Sequence, residues 1–297
     1  MRADIFMNVF HIISITKKLK WLFFLAGVFG DIGGIPHTNW LVWVFTFLAL
    51  IEPGAIQGLY QIFGIFFINV SHKFNVPSKE NYKCKIDYIL PFPEKWTVIN
   101  GGVEKKLSHS WGILTQRYAY DFFILNDEGK SFAGDNKLLK NYYCYGKDII
   151  APADGIVVKL SNKHKDSRVD GKKVYCDAWD IRGNFILIKH SDNEYSAIAH
   201  IMQNSFTVNV GDKVKQGEVI AQCGNSGNTS EPHIHFQLQT GKSFFLSAGL
   251  PIAFTNINAN AKNNYELADK RPVANNLQTT IDNKFYIGRG LEVENVL

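Results

Sequence analysis

Two histidines one residue apart, His233 and His235, close the run Cys223-Gly-Asn-Ser-Gly-Asn-Thr-Ser-Glu-Pro-His-Ile-His-Phe236. On a strand, successive side chains point to opposite faces, so the two imidazoles share one face while Ile234 and Phe236 turn toward a core. Gly224, Gly227 and Pro232 punctuate the approach and specify a tight loop that delivers the strand to one place. Alone, the pattern also describes a surface strand with two solvated histidines, so its meaning depends on what converges with it. Upstream, Asp121 interrupts the apolar run Tyr118-Ala-Tyr-Asp-Phe-Phe-Ile124. A carboxylate buried in such a run needs a metal, a cation or hydrogen-bond donors, and Arg117 or a neighbouring lysine is the plain ion-pair alternative. His200 ends the stretch Tyr195-Ser-Ala-Ile-Ala-His200, and His109 stands in Leu-Ser-His109-Ser-Trp.

These residue types suit hydrolysis at a metal. Hydrolytic zinc takes three protein ligands from His and Asp or Glu and keeps a fourth position open. His109, Asp121 and His235 supply such a set. The metal lowers the pKa of water and polarises a scissile carbonyl. His200 and His233 are left over: one serves as general base while the other, or both, donate to the oxyanion. No His-Glu-x-x-His is present, and this arrangement needs no glutamate.

The elements that must position these groups read as strands. Tyr88 to Val103 carries a short strand stopped by Gly101-Gly102. Asp148 to Leu160 contains a Pro-Ala-Asp-Gly turn, and strands follow at 184–191, 194–202, 207–210 and 218–222. Polar excursions at 126–147 and 161–183 read as loops, the first of them over the site. Helices longer than two turns are not evident after residue 85, so the fold class is mainly β, an antiparallel sheet or sandwich. Asn256 to Lys270 reads as irregular, and 284–296 as an added edge strand.

Ahead of this lies a different kind of chain. Between Trp21 and His72 the only formal charges are Asp31 and Glu52, although the 297 residues as a whole are 46% hydrophobic and 20% charged. Ile32 to Ile51 and Pro53 to His72 are uncharged but for Glu52 between them, each about as long as the ~20 residues that span a bilayer. Gly33, Gly34 and Pro36 break the first, leaving a helix from Trp40 to Ile51; Gly54 to Val70 reads as a second helix, and Trp21 to Gly30 as a third apolar piece. Arg2, Lys17, Lys18 and Lys20 precede the region, but the apolar stretch is too long for a cleaved signal. The expected organisation is an apolar, helical, membrane-associated region at 1–70, a linker at 71–85, a β domain at 86–255 and a C-terminal extension at 256–297. Lysines flank the apolar region on both sides, so its orientation is open. The net charge of +5 and the lack of a basic, aromatic-studded stripe make nucleic acid an unexpected partner. Cys84, Cys144, Cys176 and Cys223 are too scattered for a Cys-x-x-Cys knuckle, and their spacing assigns no disulfides.

Over residues 88–255 the sequence resembles the lysostaphin-type zinc endopeptidases, whose catalytic domain is a small antiparallel β fold acting on peptides of bacterial peptidoglycan. The resemblance rests on Gly224-Asn-Ser-Gly-Asn-Thr-Ser-Glu-Pro-His233-Ile-His235-Phe, on Ala151-Pro-Ala-Asp-Gly155, and on Tyr195-Ser-Ala-Ile-Ala-His200 followed by Val210-Gly-Asp-Lys-Val-Lys-Gln-Gly-Glu-Val219. It implies Zn2+ as cofactor, His235 and Asp121 as ligands, and His200 and His233 as catalytic histidines. In the common pattern the first ligand histidine stands four residues before the aspartate, and that place holds Arg117, whose guanidinium offers no lone pair. A variant with longer spacing makes His109 the ligand, brought back beside Asp121 by the chain from 109 to 117. The expectation is therefore a zinc metalloendopeptidase at the cell membrane, with its β domain outside the cytoplasm and peptidoglycan peptides as substrate. Two rivals are a catalytically silent regulator that binds wall or partner protein, and a carrier domain sharing the Val-Gly-Asp-Lys-Val-Lys-Gln-Gly turn. A scaffold does not need two unligated histidines facing one point, and a carrier, which needs a modified lysine or a single phosphorylated histidine, leaves His233-x-His235 with Asp121 unexplained.

Overall fold

The computed structural model of the chain describes residues 22–29, 40–50, 53–169, 175–176, 180–274, 278–279 and 284–296. The basic residues before Trp21 and the Gly33–Pro36 interruption lie outside them. The chain divides into two compact units, Met1–Tyr60 and Gln61–Leu297.

The first unit is helical. Helix α1 covers 22–29 and α2 covers Trp40–Leu50. A Cβ at Gly27 would come within 2.7 Å of the Val42 side chain, so glycine permits the close approach there, and Phe24 and Phe45 meet with ring centroids 5.0 Å apart. Helix α3, Pro53–Ser71, runs past the end of the first unit at Tyr60 and opens on a proline, the residue whose missing N–H costs nothing in a first helical turn. Among the described residues, no helix is long and apolar enough to cross a membrane. The two bilayer-length windows thus do not become described spans. Eleven residues of α2 rise only about 16 Å, and the nineteen of α3 include Gln57, Gln61 and Asn69.

The second unit is built on an antiparallel sheet. Its strands, with the short ones that flank it, are β1 Trp96–Asn100, β2 Tyr120–Phe123, β3 Asp148–Ile150, β4 Gly155–Ser161, β5 Tyr175–Cys176, β6 Phe185–Ser191, β7 Glu194–Ala199 and β8 Lys213–Val214. They continue with β9 Val219–Gln222, β10 Asn228–Thr229, β11 Ile234–Gln239, β12 Gly249–Leu250, β13 Ile257–Ala261, β14 Gln278–Thr279, β15 Phe285–Tyr286 and β16 Leu291–Asn295. The main sheet runs β13-β16-β1-β2-β11-β7-β6-β4-β8, with β12 against β11. Period-two alternation decides its faces. Ile234, Phe236 and Leu238 of β11, with Tyr120 and Phe122 of β2, enter the core fully buried among Phe92, Trp96, Ile198 and Phe254. Asp121, His235, Gln237 and Gln239 occupy the opposite face.

Several sequence expectations change in the folded chain. Asp148 to Leu160 is two strands: β3 pairs with β9 in a separate small sheet, and after the Ala151–Asp154 turn β4 joins the main one. Residues 207–210 form no strand. Ile257–Ala261, inside the stretch read as irregular, is the edge strand β13, which places β16 between β13 and β1. The segment read as a linker is anchored, because the fully buried Glu194 accepts from the Tyr82 hydroxyl, the Lys85 amide and the Tyr88 hydroxyl. Cys84, Cys144 and Cys223 are free thiols.

Candidate active site

The site lies where β2, β11 and β7 run side by side. His235 is directly opposite Asp121 on one side and Ala199 on the other, so pairing register alone brings β2, β11 and the end of β7 to one spot. His200 follows β7 with φ +64°, a left-handed backbone that carries a steric cost for a non-glycine residue and turns the chain out of the strand. Its amide donates to the Arg182 carbonyl, and its own carbonyl accepts from Gly224, which holds the turn in place. These side chains line a cleft of about 370 Å³ together with His109, Asn100, Arg182 and Arg271.

Hydrogen bonding sets the direction of each imidazole. His200 Nδ1 donates to the Ser226 carbonyl at 2.7 Å, and His233 Nδ1 donates to the Glu231 carbonyl at 2.8 Å. A carbonyl only accepts, so both rings carry the proton on Nδ1 and turn an Nε2 lone pair elsewhere. For His233 that nitrogen is 3.7 Å from Asp121 Oδ1. His235 is the reverse case: Nε2 faces Gln237 Oε1 at 3.2 Å and Nδ1 faces Asp121 Oδ1 at 2.9 Å. The His200 and His233 ring centroids are 4.6 Å apart, and Phe123 stacks flat on His233 at 4.9 Å, sealing its far side with an apolar ring.

Burial pushes His200 well below the ordinary histidine range, and the neighbouring imidazoles His233 and His235 push the same way. Burial lowers His233 too, although Asp121 opposes it. Both are therefore neutral bases at pH 7. Burial also works against a charged Asp121, but the His235 hydrogen bond and the surrounding imidazoles outweigh it and hold the carboxyl well below the usual carboxylate range. Burial lowers His235 as well, but its bond to Asp121 prevails and its pKa rises.

His109 comes back to the cleft, with Nδ1 3.6 Å from Asp121 Oδ2. Arg117 points the other way: its Nε donates to the Trp111 carbonyl at 3.1 Å and its guanidinium sits 5.2 Å over the Trp111 ring. Asp121 is paired with imidazoles and with Asn100 Nδ2 at 2.9 Å. The 126–147 excursion braces the histidine loop: Ser131 Oγ donates to Glu231, and the Cys144 thiol donates to the Pro232 carbonyl at 3.0 Å.

Among the described residues, no group of three or more His, Cys, Asp or Glu is arranged to hold a metal ion as it stands. The donor chemistry nonetheless suits zinc. Asp121 with His109 and His235 offers one carboxylate and two imidazole Nδ1 atoms, standing 3.6 and 2.9 Å from its oxygens.

Asn100 and Gln237 escaped the sequence reading. Gln237 carries a signal, being two residues beyond His235 on the same strand face; Asn100 carries none, because only the β1–β2 register, Asn100 opposite Asp121, brings it in.

The model of Peptidase family M23 matches residues 142–245, which include His200, His233 and His235. The murein hydrolase activator NlpD of Salmonella dublin is 33% identical over 137 residues, 46% of this chain and 31% of that protein. The peptidoglycan DD-endopeptidase ShyC of Vibrio cholerae is 28% identical over 92 residues, 31% of this chain and 17% of that protein. The chain thus spans less than a third of the length of these curated relatives. Among solved structures, the catalytic domain of lysostaphin from Staphylococcus simulans superposes with a TM-score of 0.29 at 24% identity, covering 57% of this chain and 90% of that one. The family match and the histidine pattern agree over one stretch: residues 142–245, with His200, His233 and His235 among them, match Peptidase family M23.

Proposed function

We propose that the chain is a zinc-dependent endopeptidase that hydrolyses amide bonds in peptidoglycan peptides. The observation that carries this reading is the convergence of His109, Asp121, His200, His233 and His235 on one cleft, with the two histidines outside the ligand set held as neutral bases. The substrate class is supported by the names of relatives, a murein hydrolase activator and a peptidoglycan DD-endopeptidase.

His109, Asp121 and His235 would hold the zinc ion, which supplies Lewis acidity toward a carbonyl and acidifies water. The remaining steps belong to the chain. His233 Nε2 faces Asp121 with its lone pair free, so it takes the proton from an attacking water. Once protonated it is the group that returns a proton to the leaving amine. His200 also enters the resting site as a lone-pair acceptor, because its one proton is committed to Ser226. Neither ring can donate to an oxyanion until it has first been protonated. Two such bases with ring centroids 4.6 Å apart suit proton transfer during the reaction.

The rival is a silent, wall-binding regulator, which has no need of two oriented neutral imidazoles. Zinc content and digestion of purified wall material separate them. The reading expects about one zinc per chain and new amine ends in the digest; a metal-free, inert chain that still binds wall would establish the regulator.

We further propose that the helical region rests against a membrane surface. Ile62, Phe63, Phe66 and Phe74 are 66, 56, 66 and 77% exposed, and Lys73, Lys79, Lys83 and Lys85 follow them in sequence. Apolar side chains flanked by cations suit an anionic bilayer interface, which supports a location at the cell membrane with the β domain outside the cytoplasm, on the side of a peptidoglycan substrate. Co-sedimentation with anionic vesicles, lost on replacing Phe63 and Phe66 with Ser, tests this.

A further inference from the structure

Arg289 stands in the C-terminal extension, beyond the family match, and is 2% exposed. Its guanidinium makes five hydrogen bonds: Nε to Ile99 O at 3.0 Å, Nη1 to Lys106 O and Pro272 O at 3.2 Å each, and Nη2 to Leu107 O at 2.8 Å and Asn100 Oδ1 at 3.3 Å. None of these acceptors is a carboxylate. Burying a guanidinium against neutral carbonyls is costly, so the position asks for a reason beyond filling space.

The acceptors supply that reason, because they lead to both sides of one carboxylate. Asn100 receives Arg289 on Oδ1 and presents Nδ2 to Asp121 Oδ2 at 2.9 Å. A flipped amide would set donor against guanidinium and acceptor against carboxylate, so Arg289 fixes which end of Asn100 meets Asp121. Lys106 and Leu107 immediately precede the segment that carries His109, the residue 3.6 Å from the same Oδ2. The backbone reinforces the link, since Arg289 N donates to Gly101 O, and Gly101 N donates to Leu107 O.

We propose that Arg289 is a positioning residue for the metal site: through Asn100 it orients Asp121, and through the 106–107 carbonyls it places His109. The consequence for zinc rests on the metallopeptidase reading; the positioning does not. Lysine keeps the charge but lacks the planar fork that serves five acceptors at once.

The full-length chain is compared with Arg289→Lys and, should that variant fold poorly, with Asn100→Ala. In the metal-free proteins, imidazole 15N shifts are read for His109 and His235, with His190 as the reference ring held by Ser196 and the Asp154 carbonyl. Both variants should move the His109 and His235 signals and leave His190 in place. Unmoved His109 and His235 signals in a folded variant overturn the proposal. Zinc affinity, read by competition with a chromophoric chelator, should fall about 10- to 100-fold in each, the range for residues that orient ligands. The double variant should lose less than the product of the two, because both act along one chain of contacts. Unchanged zinc affinity in both also overturns it. Should the wild-type chain bind no zinc, the metallopeptidase reading fails while the 15N shifts still decide the positioning.

Discussion

The Nδ1 of His235 lies 2.9 Å from Oδ1 of Asp121, across two neighbouring strands on which the two residues are direct partners. Strand register alone therefore sets one edge of the proposed zinc site, before any side chain chooses a rotamer. Gln237 Oε1, on the far side of the ring, accepts from Nε2 and leaves Nδ1 as the nitrogen that meets Asp121.

Replacing Gln237 with Leu removes that acceptor and releases the tautomer. Zinc affinity should fall about 10- to 100-fold, by the same competition assay. Stability should also drop by about 1–3 kcal/mol, because Gln239 Oε1 loses its donor at 2.7 Å in a buried row. Wild-type affinity in the folded variant would show that Gln237 does not set the ring.

His233→Ala and His235→Ala should part company. Loss of His233 should lower wall digestion about 100- to 10,000-fold with zinc content intact, whereas loss of His235 should remove zinc and activity together. Equal zinc loss in both would move His233 into the ligand set. Arg117→Ala should retain zinc, since its guanidinium faces Trp111 and not Asp121.

Acid should destabilise the metal-free chain in a window set by its histidines. Burial depresses His190, His200 and His233 in the folded state, whereas an unfolded histidine titrates near about 6.5. Below that pH the unfolded chain binds more protons than the folded one, so stability falls as pH drops from about 6.5 toward the folded pKa values. His235, raised by Asp121, acts with the opposite sign: its contribution is full below about 6.5 and is lost as pH rises through its folded pKa. Among the described residues, five depressed imidazoles, with His109 and His164 added to His190, His200 and His233, against one raised give a net loss on acidification, visible as a falling urea midpoint between pH 7 and pH 5. His190→Gln should flatten that slope; a midpoint constant across the range would refute the assignment of buried neutral rings.

Asn295→Ala tests how the extension is fastened. Its side chain accepts from Leu90 N at 2.9 Å and donates to Leu90 O and Phe92 O, tying the end of β16 to the entry of the domain. Loss should cost about 1–3 kcal/mol in a urea titration, because backbone groups of Leu90 and Phe92 lose partners. Indifference to the change would mean that the strand pairing of β16 with β1 suffices.

The sequence by itself determined what local periodicity determines. Alternation put His233 and His235 on one face and Ile234 and Phe236 in the core, and the glycine-rich approach marked the loop. Residue chemistry alone removed Arg117 from the ligands. It could not say where His109 goes, since the distance to Asp121 depends on how the 109–117 segment turns around Trp111. The role of the C-terminal extension was equally hidden: β13 is asparagine-rich and polar, and becomes a strand only because β16 offers it a partner edge. Asn100, Gln237 and Arg289 act through neighbours far along the chain, across strand pairs and loop carbonyls. Such contacts exist only once the sheet has fixed its register, so the tertiary structure alone decided how the site is oriented and held.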